Sequence, residues 1–159
     1  MPKSKISIAN EVVDLRRGID YIGVTVNFII HDGKGKILLQ KRSVNCRDEH
    51  GKWDIGGGAV EFGETLEQAL ERELMEEYLV SPIEYAFTEL GTALRTHNNK
   101  PTHWVYANFK VLVDPKSIKI GEPHKVDDLG WFKLSNLPQP QHSMFDTALS
   151  IAKKHNLIQ

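Results

Sequence analysis

The chain has 159 residues, 40% of them hydrophobic and 26% charged, a balance that suits one globular domain and argues against a globally disordered chain. Twenty Lys and Arg against 21 Asp and Glu leave a net charge of −1, which gives no electrostatic case for gripping nucleic acid or an anionic membrane. The single Cys46 excludes an internal disulfide, no apolar run approaches the roughly 18–20 residues of a membrane span, and no signal-peptide core follows Lys3 and Lys5, so a cytoplasmic protein is expected.

Residues 1–20 mix short apolar pieces with charge and show no clear period; they are expected to form an extension or an edge strand, with the main domain over 21–159. From Gly23 the pattern sharpens. Val24, Val26, Phe28 and Ile30 alternate with Thr25, Asn27, Ile29 and His31, the period of a strand with two different faces. Asp32-Gly33-Lys34-Gly35 is turn chemistry, and Lys36 to Arg42 returns as a second strand, which predicts a hairpin. Ser43 to Lys52 is a polar loop, followed by a glycine-rich stretch from Trp53 to Gly63. Thr65 and Gln68 form a capping box for a helix running to about Leu79, and Pro82 bars its continuation. Glu84–Arg95 and Trp104–Val113 are expected strands joined through His97–Pro101, and Leu129–Leu134 is a shorter one. Ser143 is expected to cap a last helix with Phe145, Ala148, Leu149 and Ala152 on one stripe. Strands surrounding two helices make an α/β or α+β domain.

The chemistry lies in the first helix. It advances about 100° per residue, so with Glu73 at zero, Glu76 falls at about −60° and Glu77 at about +40°. Leu66, Ala69 and Leu70 fall at about +20°, −40° and +60° on the same scale. The stripe that is apolar in the first half of the helix therefore becomes acidic in the second. Carboxylates turned toward the body repel one another and lose hydration, and a hard divalent cation with oxygen ligands, Mg²⁺ or Mn²⁺, would compensate. Glycines before the helix let backbone approach a metal or a phosphate closely. A solvated acidic helix beside a flexible loop is the competing reading.

Gly58, Glu64 and Arg72-Glu73-Leu74-Met75-Glu76-Glu77 resemble the Nudix box, G-x5-E-x7-R-E-U-x-E-E-x-G-U, with six exact matches and Val80 at the final apolar position. Leu38 to Arg42, the loop Trp53 to Gly58, and Glu122 to Phe132 also resemble segments of MutT-like nucleotide diphosphatases. Two departures stand out. Leu79 replaces the glycine that usually ends the helix, so a rebuilt helix end is expected, and Gly56 replaces a common proline, so a looser approach loop is expected.

The resemblance implies a Nudix α/β/α sandwich with a mixed β-sheet and a catalytic loop–helix–loop. It implies metal-dependent hydrolysis of a diphosphate linkage in a nucleoside diphosphate joined to a group X, with (deoxy)nucleoside triphosphates leading. ADP-ribose or another nucleotide sugar is the alternative, and a non-catalytic nucleotide sensor is the alternative of another class. Glu73, Glu76, Glu77 and the Gly58 carbonyl are the implied metal ligands, for Mg²⁺ or Mn²⁺. Glu64 and Arg72 are expected to position them, with a surface ion pair as the competing role for Arg72. Arg42, Asp54, Asp127 and Asp128 are candidate substrate contacts, each balanced against an ordinary structural or solvated role. The histidines form no zinc pattern, and Cys46 has no evident base. The expected partner is a small nucleotide rather than a nucleic acid or membrane, and a homodimer stays open.

Overall fold

In the computed structural model, which describes residues 4–8 and 11–156, two helices pack on opposite faces of a mixed sheet. The elements in chain order are β1 (Ser4–Ile8), β2 (Glu11–Leu15), β3 (Gly23–His31), β4 (Lys36–Arg42), β5 (Trp53–Asp54), β6 (Gly56–Ala59), α1 (Leu66–Tyr78), β7 (Glu84–His97), β8 (Lys100–Leu112), β9 (Val126–Lys133) and α2 (Phe145–Lys154). Seven strands share the main sheet, in the order β5-β4-β3-β8-β7, with β6 also on β3 and β9 also on β4. β1 and β2 pair with each other as a separate two-stranded sheet. Among the described residues no helix is long and apolar enough to cross a membrane.

Alternation along β3 divides the core in two. Val26, Phe28 and Ile30 join Leu38, Ala107, Phe109 and Val111 beneath Leu70, Leu74 and Tyr78 of α1. Ile29 joins Ile37, Leu39 and Trp53 against Phe145 and Ala152 of α2. Each such fully buried side chain contributes about 1.5–3 kcal/mol, so these faces fix which way each strand presents its other side.

The expected hairpin of β3 and β4 pairs only beside its turn, at His31↔Ile37. Beyond that point β6 occupies the β3 edge, from Thr25↔Ala59 to Phe28↔Gly56, while β4 pairs with β9 and β5. The displacement brings a glycine-rich strand next to α1. Gly56 is part of this strand and not of a loosened loop: a Cβ there would lie 2.2 Å from the Phe28 ring, which meets Tyr78 edge-on. β8 runs parallel to β3 from Gly23↔Trp104 to His31↔Leu112, and antiparallel to β7. Asn98 and Asn99 close that hairpin with φ of 50° and 58°, a positive-φ pair that asparagine tolerates.

Both helix ends depart from expectation in one respect each. The capping box of α1 is complete, the Thr65 side chain accepting from the Gln68 N–H and the Gln68 side chain accepting from Thr65 N–H. Its C-terminus is not rebuilt: Leu79 takes the left-handed conformation itself, φ 52° and ψ 37°. Neighbouring chain offsets that strain. The Lys119 N–H donates to Tyr78 O and the Gly121 N–H to Glu77 O, at 3.1 and 2.8 Å. At α2, Ser143 is not the cap; helix residues follow Met144, and the Ser143 N–H and hydroxyl donate to Glu49 instead. Burial in α2 follows Phe145, Ala148, Ile151 and Ala152.

Candidate active site

The acidic end of α1 meets β6. Glu73 and Glu77 are 9% and 8% exposed, whereas the Glu76 side chain is 51% exposed at the rim. Gly58 makes room for Glu73, since a Cβ there would sit 2.0 Å from the Glu73 carboxyl carbon. Burial raises the Glu73 pKa against the pull of Arg72. Burial and the nearby Glu73 charge raise Glu77 well above its ordinary value, opposed by the Gly57 N–H, which donates at 3.2 Å, and by Gln40.

Arg72 organises this group. Its Nε and Nη2 donate to the two Glu64 oxygens at 2.6 and 2.9 Å, a two-pronged bond of the kind guanidinium favours. Nη1 donates to Glu73 at 2.6 Å and to Glu76 at 3.3 Å, and Nη2 also reaches Ala59 O at 3.0 Å. Glu64 in turn accepts from the Glu61 N–H, and its bond to Arg72 lowers its pKa. The Gly58 carbonyl accepts from Thr25 Oγ1 at 2.8 Å.

The segment that caps α1 delivers a further carboxylate. Gly121 is held on the helix end, where a Cβ would lie 2.0 Å from Glu76 O. Glu122 follows and adds to the fields that raise Glu73 and Glu77. Lys125 donates to Glu122 at 2.8 Å. Burial pulls the Lys125 pKa down, but that bond and the charges of Glu122, Glu77 and Glu73 outweigh it and hold it above its usual value. Sequence reasoning missed both residues; the signal was Gly121-Glu122-Pro123, at the head of the segment after β8.

Arg72, Glu73, Glu76, Glu77, Glu122 and Lys125 line a cleft of about 650 Å³, a size suited to a small ligand. Asn27, Tyr106 and Asn108 lie on the sheet side, and Thr147, Ala148 and Ile151 come from α2. Arg42 and Asp54 line it too. Arg42 is engaged with Asp48 at 3.0 Å and stands 3.9 Å from Asp54. Asp54 Oδ1 accepts from the Ile55 N–H, and burial raises its pKa to about 7 against the opposing charge of Arg42. His142 lies 3.8 Å from Asp54 and bonds Glu49; burial lowers its pKa to about 4, so it is neutral near pH 7. Asp127 and Asp128 are exposed on β9 and do not line the cleft. Trp53 is core, edge-on to Phe132, while Trp104 lines the cleft with Arg47 over its ring. The Cys46 thiol donates to Lys125 O.

The model of the NUDIX domain matches residues 22–150. The chain belongs to the Nudix hydrolase family. It is 29% identical over 114 residues to the nucleoside triphosphatase NudI of Klebsiella pneumoniae, covering 67% of this chain and 79% of that one. It is 39% identical over 54 residues to the oxidized purine nucleoside triphosphate hydrolase of Danio rerio, covering 34% of this chain. That match, like one to an uncharacterized Nudix hydrolase of Yersinia pestis, spans 32% of the relative's length. The crystal structure of a MutT NUDIX hydrolase from Burkholderia pseudomallei superposes with a TM-score of 0.72 at 29% identity, covering 82% of this chain and 97% of that one.

Proposed function

We propose that this Nudix hydrolase cleaves a diphosphate linkage in (deoxy)nucleoside triphosphates, transferring the nucleotidyl or phosphoryl group to water. The observation that carries this reading is the pair of buried carboxylates, Glu73 and Glu77, lining a nucleotide-sized cleft, with Glu122 close by from a separate loop. Two buried like charges are costly unless a cation or a proton joins them. The donor set fits a hard cation: it is all oxygen, and Gly58 leaves the space in which Glu73 lies. Among the described residues no three ligands stand at the spacing of a preformed metal cage, because Arg72 draws Glu73 and Glu76 to itself. We assign Glu73, Glu76, Glu77 and the Gly58 carbonyl to hold Mg²⁺ or Mn²⁺. When bound, the cation would neutralise phosphate charge and acidify water.

The chain's own groups supply the rest. Arg72, anchored by Glu64, sets the orientation of Glu73 and Glu76. The Gly57 N–H holds Glu77 against β6. A rim carboxylate accepts the proton of the attacking water, and Lys125 places positive charge beside Glu122 where the polyphosphate enters. Asp54 and Arg42 also line the cleft, and we assign them to contact the nucleoside. The test is release of pyrophosphate or phosphate from a panel of nucleoside triphosphates with Mg²⁺, with Mn²⁺ and with chelator. Turnover should need the metal; full turnover in chelator, or none with any nucleotide, refutes the assignment.

A further inference from the structure

On the sheet floor of the cleft two asparagines stand side by side. Asn27 of β3 and Asn108 of β8 are partners in the parallel register, so their backbones lie about 4.8 Å apart and their side chains project to the same face. That face is the one covered by α2, because Val26 and Phe28 of β3 and Ala107 and Phe109 of β8 point the other way, into the core beneath α1. Asn108 is only 6% exposed, yet its amide nitrogen meets no acceptor. Buried amides are ordinarily paired, so an unpaired one lining a cleft is a group held ready for something that enters. Across from Asn108 stands Glu89 of β7, which is engaged with Lys154 and His155 at the end of α2, and the same-face neighbours of the pair along the strands are Thr25↔Tyr106 and Ile29↔Lys110.

Resting on the reading of the site as a nucleotide hydrolase, we propose that Asn108, with Asn27 beside it, determines specificity by reading the hydrogen-bonding edge of a nucleobase. A half-turn of the amide exchanges its oxygen and nitrogen, so the group offers a donor and an acceptor to an edge that carries both. The surroundings fit a flat, partly apolar ring. Ala148 and Ile151 of α2 form the opposite wall. Tyr106 flanks the pair along β8 and lies over Gly91, where a Cβ would come within 2.2 Å of its hydroxyl. A triphosphate chain reaching the carboxylate rim from this floor passes Gly57 and Gly58, whose β6 positions pair with Asn27 and Val26.

The experiment compares wild type with Asn108→Leu and Asn108→Ala. It measures KM and kcat with Mg²⁺ for nucleoside triphosphates of guanine, adenine, uracil, cytosine and the unsubstituted purine, which lacks the exocyclic group. Inhibition by inorganic tripolyphosphate, which has no base, serves as the control. Wild type should prefer at least one substituted base over unsubstituted purine by about 10–100-fold in kcat/KM, through KM. Asn108→Leu should erase that preference, leave kcat and tripolyphosphate inhibition near wild type, and melt no lower, since it removes an unpaired buried amide. Equal weakening of every substrate, unsubstituted purine included, would place Asn108 on the sugar or in the scaffold and overturn the proposal. So would an unchanged preference. If Asn108→Leu does not fold, Asn108→Ala, which adds no bulk, decides by the same criteria. Absence of turnover in wild type would instead refute the hydrolase reading, so the two failures are separable.

Discussion

Asp54→Asn should stabilise the protein above neutral pH and lose that advantage in acid. The Asp54 carboxyl is enclosed between β5, Arg42 and His142, and burial raises its pKa from 3.8 to about 7. Between these values the folded chain keeps a proton that the unfolded chain has released. Stability then falls as pH rises, because the unfolded state binds fewer protons than the native one. The two pKa values, at 1.36 kcal/mol per unit, set a ceiling of about 4 kcal/mol for the cost once Asp54 is ionised. Loss of its attraction to Arg42, 3.9 Å away, reduces the gain from substitution, so we expect about 1–3 kcal/mol at pH 8 and little below pH 4. His142 works in the opposite direction. Its pKa is lowered from 6.5 to about 4, so it removes stability as pH falls from 6.5 toward 4. The two slopes oppose each other in wild type over that window. In Asp54→Asn the Asp54 slope is absent, so stability should rise more, or fall less, from pH 4 to 6.5 than it does in wild type. Urea denaturation of both proteins at unit intervals from pH 4 to 8, without divalent cations, provides the free energies. A difference between the proteins that does not change with pH, or destabilisation by Asp54→Asn at pH 8, would refute the reasoning.

Glu77→Gln should lower kcat about 100-fold or more while raising the melting temperature in chelator, since it removes a charge that is 8% exposed; Glu71→Gln, on the exposed face, should change neither. Equal losses in the two variants, read by steady-state kinetics, would mean that burial does not mark the site. Gly58→Ala should displace the Glu73 carboxyl, which lies 2.0 Å from the added carbon, and weaken Mn²⁺ binding measured by titration calorimetry at least tenfold; unchanged Mn²⁺ binding would remove Glu73 from the ligand set.

The sequence announced those features whose partners are close along the chain. The Thr65–Gln68 capping box, the helix that carries Glu73, Glu76 and Glu77, and the alternation of β3 each depend on a short window, and each is found where it was expected. Glu122 was hidden because its place depends on a distant contact: amides of Lys119 and Gly121 bind the last carbonyls of α1, more than 40 residues earlier. The same contact explains how Leu79 keeps a left-handed backbone that costs about 1–2 kcal/mol in leucine. β6 was hidden because three glycines and an alanine carry no hydrophobic period, although their lack of side chains is what lets β3, Phe28 and Glu73 approach.

The acidic stripe was legible in direction but not in depth, and the helical angles show why. Leu66, Ala69 and Leu70 place the apolar arc between about −40° and +60° relative to Glu73, which admits Glu73 and Glu77 and leaves Glu76 just outside its edge. Leu74 and Tyr78, both buried, fall at about +100° and +140° and shift the centre of the arc toward Glu77. Glu76 at about −60° is then roughly 110° from that centre, which is why its side chain stands half in solvent while Glu77 is enclosed. Phase along the whole helix therefore divides the carboxylates into two that are fixed against β6 and one at the rim, where Arg72 is its partner at 3.3 Å.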